Sequence, residues 1–122
     1  MQVANSENFV NMLSEEKPVL CFFHRQKEDT QVPVVKQILT KLEKQLPLLP
    51  VYEFVTDATP ANQQLCDIIE IVDKPVLVIY KNGNFSRYRD KQLNEKAILA
   101  FLGNTAIYKE AKVEQEKIEV DL

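Results

Sequence analysis

Cys21, Cys66 and His24 are the only thiols and the only imidazole in the sequence, so nucleophilic, redox or metal chemistry would have to be assembled from them. Cys21 stands inside the apolar run Val19-Leu20-Cys21-Phe22-Phe23, and Cys66 follows Leu65 and precedes Ile69 by about one helical turn. The sequence holds no Cys-x-x-Cys and no Cys/His cluster at metal-ligand spacing. A zinc site or a Cys-His-Asp hydrolase is therefore poorly supplied, and no metal or cofactor is expected. Free cysteines in apolar company behave as small hydrophobes, which is the reading for both. A Cys21–Cys66 disulfide would be unusual in a reducing cytosol. A lone histidine with neither a nucleophile nor a metal partner beside it does not make a general base.

The bulk composition narrows the class further. A chain of 122 residues, 45% hydrophobic and 27% charged, has enough apolar surface for one core and too little length for two. Its 18 acidic and 15 basic side chains leave a formal charge of −3 and are scattered, so the basic footprint of a nucleic-acid binder is missing. The N-terminal MQVANSENFVNML carries no basic leader, and no window approaches the ~20 apolar residues that span a bilayer. A cytoplasmic protein without membrane or nucleic-acid partners is the expectation.

The elements that would position these residues alternate between helix and strand. Ser6 can cap a short helix over residues 6–13, with Phe9, Val10 and Leu13 on its apolar side, ended near Lys17-Pro18. Val19–Phe23 reads as a central strand buried on both faces. A polar loop, residues 24–31, then leads into a helix with Val32, Val35, Ile38, Leu39, Leu42 and Leu46 on one face, capped by Asp29 or Thr30, with Pro33 near its start. Pro47 and Pro50 close that helix. Val51–Val55 follows as a second strand with Asp57 at its carboxyl end, and a third helix runs from Pro60 with Leu65, Ile68, Ile69 and Val72 inward, stopping before Asp73-Lys74-Pro75. Val76–Tyr80 and Asn84–Arg89 form a hairpin across Asn82-Gly83. A last helix spans Asn94–Leu102, with Ala97, Ile98, Phe101 and Leu102 inward and Gly103 as its cap. The organisation is a domain over residues 1–103 and a charged tail or appended helix over 104–122.

This order of elements is similar to thioredoxin over roughly residues 6–103. Pro18-Val19-Leu20 with its aromatic successors resembles the family's first core strand, and Pro33 with Val34, Val35 and Ile38 resembles the proline-containing active-site helix. Lys74-Pro75-Val76-Leu77 and Tyr80-Lys81-Asn82-Gly83 look like the cis-proline loop, strand and hairpin turn. The resemblance implies a thioredoxin-like three-layer α/β/α sandwich with a central mixed β-sheet. It also implies a Trp-Cys-x-x-Cys loop that is missing: the segment reads His24-Arg25-Gln26-Lys27-Glu28-Asp29. Anchoring on Pro33 puts Arg25 and Glu28 at the thiol positions; anchoring on Pro18 shifts this by about three residues, and neither register holds a cysteine. Exchange needs a low-pKa thiolate at the helix N-terminus and a second thiol to resolve the mixed disulfide. The carboxylate the family buries beneath its dithiol has no counterpart on Val19–Phe23, and the glycine before the last helix is replaced around Arg89-Asp90.

The functional expectation is a divergent, non-catalytic thioredoxin-like module that binds a protein or peptide partner through Arg25, Gln26, Lys74 and Pro75, with no catalytic residues. The alternative is a thiol-disulfide oxidoreductase or redox sensor using Cys66 alone, which needs Cys66 exposed and its pKa lowered. A third reading has the domain scaffold an assembly through residues 104–122 or its sheet edge, with Ile107, Ala111 and Ile118 on one helix face.

Overall fold

A strand with no polar residue to turn towards water has to be covered on both faces, and that requirement organises the chain. The computed structural model describes residues 1–14, 17–27, 30–46, 49–71, 75–81, 83–88 and 94–103. In sequence order the elements are β1 (Gln2–Ala4), α1 (Phe9–Leu13), β2 (Val19–His24), α2 (Gln31–Gln45), β3 (Val51–Val55), α3 (Pro60–Ile68), β4 (Val76–Lys81), β5 (Asn84–Arg87) and α4 (Glu95–Gly103). They build one mixed sheet in the order β1-β3-β2-β4-β5. β3 pairs in parallel with both β1 and β2, while β4 runs antiparallel to β2 and β5 antiparallel to β4.

Every residue of β2 is buried, and its period of two sends alternate side chains into separate cores. Leu20 and Phe22 join Val51, Leu77 and Ile79 beneath α2 and α4, which contribute Val32, Val35, Leu39, Leu42, Ile98 and Leu102. Val19, Cys21 and Phe23 join Tyr52, Phe54, Val78 and Tyr80 beneath α1 and α3, which contribute Phe9, Met12 and Cys66. Phe9 meets Phe54 and Tyr80 edge-on, each at 5.9 Å between centroids. Each fully buried Phe or Leu is worth about 1.5–3 kcal/mol of transfer free energy, so both helical layers are needed. The result is the expected three-layer α/β/α sandwich around a mixed sheet.

The apolar face of α2 follows the sequence pattern, with Val32, Val35, Leu39 and Leu42 buried and Ile38 and Leu46 packed against them. α4 does the same with Ile98 and Leu102, and Asn94 Oδ1 accepts from the Ala97 N–H at 2.8 Å in front of it. Lys81 pairs with Asn84, leaving a two-residue connection in which Gly83 adopts φ +81°. β5 ends at Arg87 rather than Arg89, although the Tyr88 N–H still donates to the Leu77 carbonyl at 2.8 Å. Arg87 reaches back from that edge to donate to the carbonyls of Ile69 and Glu70, both at 2.8 Å, where Glu70 turns the chain out of α3 with φ 60°.

Besides the shorter β5, β2 runs on to His24, which was expected in the loop, and α4 includes Gly103, expected as its cap; larger departures from the sequence reading occur at β1, α1 and α3. β1 was not foreseen: three residues are too few to show alternation, and the strand exists because the outer edge of β3 supplies its partners. α1 runs from Phe9, not residue 6, and the turn ahead of it is fastened by Asn5: its Oδ1 accepts from the N–H groups of Glu7 and Asn8, Asn8 Oδ1 accepts from Asn5 N–H, and the Phe9 N–H donates to the Asn5 carbonyl at 3.0 Å. This reciprocal arrangement makes Asn5, rather than Ser6, the residue that caps the turn. In consequence Met12 is buried in place of Val10, which is 69% exposed. On α3 the buried positions are Asn62 and Cys66, with Leu65 and Ile69 packed alongside, and Ile68 faces outward. The expected cap at Asp29, the inward Val72, Lys74, the turn residue Asn82, Arg89-Asp90 and the segment 104–122 lie outside the described residues.

Asn62 ties three parts of this frame together. Its Oδ1 accepts from the Ser6 N–H at 2.8 Å and its Nδ2 donates to the Val55 carbonyl at 3.0 Å. Asn62→Ala leaves the part-buried Ser6 N–H without this acceptor and the Val55 carbonyl with only the Ala58 N–H at 3.3 Å, so equilibrium denaturation should show a loss of about 1–2 kcal/mol. A change under about 0.5 kcal/mol would show the tie to be dispensable.

Candidate functional site

The carboxyl ends of parallel strands are where an α/β sheet gathers its loops. Here the β2–α2 and β3–α3 connections are stitched to each other. The Thr56 N–H donates to the His24 carbonyl at 2.8 Å, and Gln26 gives its backbone N–H to Asp57 Oδ1 at 2.8 Å and its side-chain Nε2 to the Asp57 carbonyl at 2.6 Å. Asp57 thus secures a loop; the cap of α3 is Thr59, whose side chain accepts from Asn62 N–H at 3.1 Å. Because Phe23 lies opposite Val76, half-buried Pro75 sits at the same end of the sheet as exposed Arg25, Gln26 and Lys27. Three of the four candidate binding residues therefore share one end of the sheet, with Gln26 partly committed to Asp57. Lys74 is outside the described residues.

Beneath this surface, on the α2 side of the sheet, lies a charged cluster that the sequence reading passed over. His24 is 2% exposed. Its Nε2 is 2.9 Å from Glu53 Oε1 and its Nδ1 is 2.8 Å from the Arg25 carbonyl oxygen. Lys36 from α2 places Nζ 3.1 Å from the same Glu53 oxygen. The signal was present: His24 ends an otherwise apolar strand, and Glu53 occupies a position where β3 alternates towards α2. Burial pushes the Glu53 carboxyl up, but hydrogen bonds from His24 and Lys36, with the Lys36 charge, outweigh it and hold the group below its usual value.

No family model matches the sequence, and no curated protein matches it either. Solved structures do. Thioredoxin f2 from Chlamydomonas reinhardtii superposes with a TM-score of 0.71 at 13% identity, covering 84% of this chain and 93% of that one. Oxidised mitochondrial thioredoxin 3 from Saccharomyces cerevisiae gives 0.70 at 16% identity over 86% and 95% of the two chains. Fasciola hepatica thioredoxin gives 0.68 at 16% over 83% and 95%.

The fold is thioredoxin-like.

Identities this low carry the architecture and nothing about activity. α2 opens at Gln31, and Arg25 stands earlier, just past the end of β2. Among the described residues, the carboxylate beneath this loop on the α2 side comes from β3, as Glu53. The two cysteines are free, 0% exposed and in the same core under α1 and α3. Burial, with a smaller contribution from nearby Cys66, pushes the Cys21 thiol well above its usual value, which disfavours the reactive thiolate. The single-thiol alternative requires an exposed Cys66, and the structure buries it.

Two outcomes follow. Neither thiol should react with an aromatic disulfide reagent in the native protein, and both should react in denaturant; rapid native labelling of Cys66 would contradict the burial. The lowered Glu53 carboxyl stabilises the fold above the ordinary unfolded value of about 4.3 and loses that contribution as pH falls through its folded value. Glu53→Gln should therefore be less stable than wild type at neutral pH, with the difference shrinking as the pH drops below about 4 in a pH-resolved denaturation series.

Proposed function

We propose that this chain is a non-catalytic thioredoxin-like module that binds another protein or a peptide through Arg25, Gln26, Lys74 and Pro75, without dithiol redox activity and in the cytoplasm. The observation that carries this reading is the separation of thiols from surface. Both sulfurs are enclosed in the core under α1 and α3, whereas the loop where the family holds its dithiol presents Arg25, Gln26 and Lys27 to solvent. Cross-linking of that loop to Asp57 supports binding as well, because a surface already ordered loses less entropy on docking. Pro75 immediately precedes β4, a place from which main chain can pair with an extended ligand.

The test is capture of partners from native lysate in the presence of reductant, with mass-spectrometric identification, comparing wild type, Arg25→Glu/Lys74→Glu and Cys66→Ser. The expected result is a partner set retained in reductant and by Cys66→Ser, and lost at least tenfold with the charge reversals, a drop of about 1.4 kcal/mol or more. Partners released by reductant and lost with Cys66→Ser would overturn the reading in favour of thiol chemistry.

A further inference from the structure

The contacts of His24 impose a count of hydrogens. A backbone carbonyl can only accept, and an ionised carboxylate can only accept. Yet Nδ1 lies 2.8 Å from the Arg25 carbonyl and Nε2 lies 2.9 Å from Glu53 Oε1. With Glu53 ionised, both contacts are hydrogen bonds only if both ring nitrogens carry hydrogen. Lys36, 3.1 Å from the same oxygen, favours the ionised carboxylate, as does the lowered value of that carboxyl.

We propose that His24 is held as an imidazolium bridging Glu53 to the Arg25 carbonyl, and that removal of one ring proton at rising pH unfastens the loop carrying Arg25 and Gln26. The proton is lost from Nδ1. A neutral ring keeps one N–H, and the charge-assisted bond to Glu53 is the stronger of the two, so the hydrogen stays on Nε2. The Nδ1 lone pair then faces the carbonyl oxygen at 2.8 Å, which repels. Among the described residues the charged groups around the ring are few. β3 presents Glu53 and α2 presents Lys36; the β3–α3 loop contributes Asp57, engaged by Gln26. Across the sheet Pro75, just before β4, is not titratable, Val76 belongs to the core on the other face, and on β2 itself the neighbour on this face is Phe22, its ring 5.2 Å away. The pair is therefore an internal proton latch beneath the proposed docking surface. Its bearing on partners rests on the binding reading above; the latch itself does not.

The test is an alkaline titration of the full chain followed by 15N NMR of the His24 ring and the backbone amides of Arg25, Gln26 and Lys27. The expected result is two protonated ring nitrogens at pH 7, and loop amides that shift in step with the ring as it loses a proton. A neutral ring at pH 7, or loop amides indifferent to the ring, overturns the proposal. Glu53→Gln sharpens it: a neutral ring can then accept from the glutamine amide at Nε2 while Nδ1–H still donates to the carbonyl, so the loop amides should stop following the ring. Loop amides that still follow the ring in that variant overturn it too. Partner capture repeated on both sides of the transition separates the two readings, since a coupled loop with unchanged capture upholds the latch and counts against the binding surface.

Discussion

Water has no access to either face of β2. The strand is apolar from Val19 to Phe23 and central in the sheet, so α2 and α4 have to cover one side and α1 and α3 the other. The lengths and faces of the helices answer to that constraint, and so does the parallel–antiparallel mixture, which places β3 and β4 on its two edges. The single polar residue of the strand, His24, stands at the point where the chain leaves the sheet, and it remains as buried as its apolar neighbours. A titratable group in that position has to be satisfied by protein atoms, and Glu53 and the Arg25 carbonyl do so. The chemistry of the site is in this sense a by-product of where the core stops.

Much of the architecture was legible because long apolar stretches leave little choice. Val19–Phe23 and Val76–Tyr80 could only be two-sided strands, the α2 stripe from Val32 to Leu42 repeats over several turns, and Gly83 marks the hairpin turn by its need for positive φ. What escaped was short or tertiary in origin. β1 has no pattern of its own and is a strand only because β3 lends it hydrogen bonds. The start of α1 is set by Asn5 and Asn8 trading side-chain bonds with backbone, a reciprocal cap that helical spacing does not register. Ile68 has the right residue type for a core position and the wrong angle, because Asn62 and Cys66 define the buried meridian of α3.

The site divides along the same line. That Arg25, Gln26 and Pro75 would meet at one end of the sheet followed from the order of strands. The His24–Glu53–Lys36 cluster did not, since its members come from β2, β3 and α2 and meet only when the register of Phe22 against Glu53 and Phe23 against Phe54 is fixed. A polar residue inside an alternating strand is ordinarily a solvent-facing one; Glu53 instead looks towards a helix, and His24 beside it with Lys36 on that helix makes the position tolerable.

Arg87 has a consequence for how the molecule comes apart. β5 is a four-residue edge strand bonded on one side only, the kind of element that frays first. Through its two bonds to Ile69 and Glu70, however, this strand also holds the turn just past α3. Fraying of the hairpin therefore frees the turn that leaves the helix carrying Cys66, so the end of that helix and the edge of the sheet loosen together. The thiol is enclosed by the core, and a guanidinium on the rim of the sheet helps fasten one side of that enclosure.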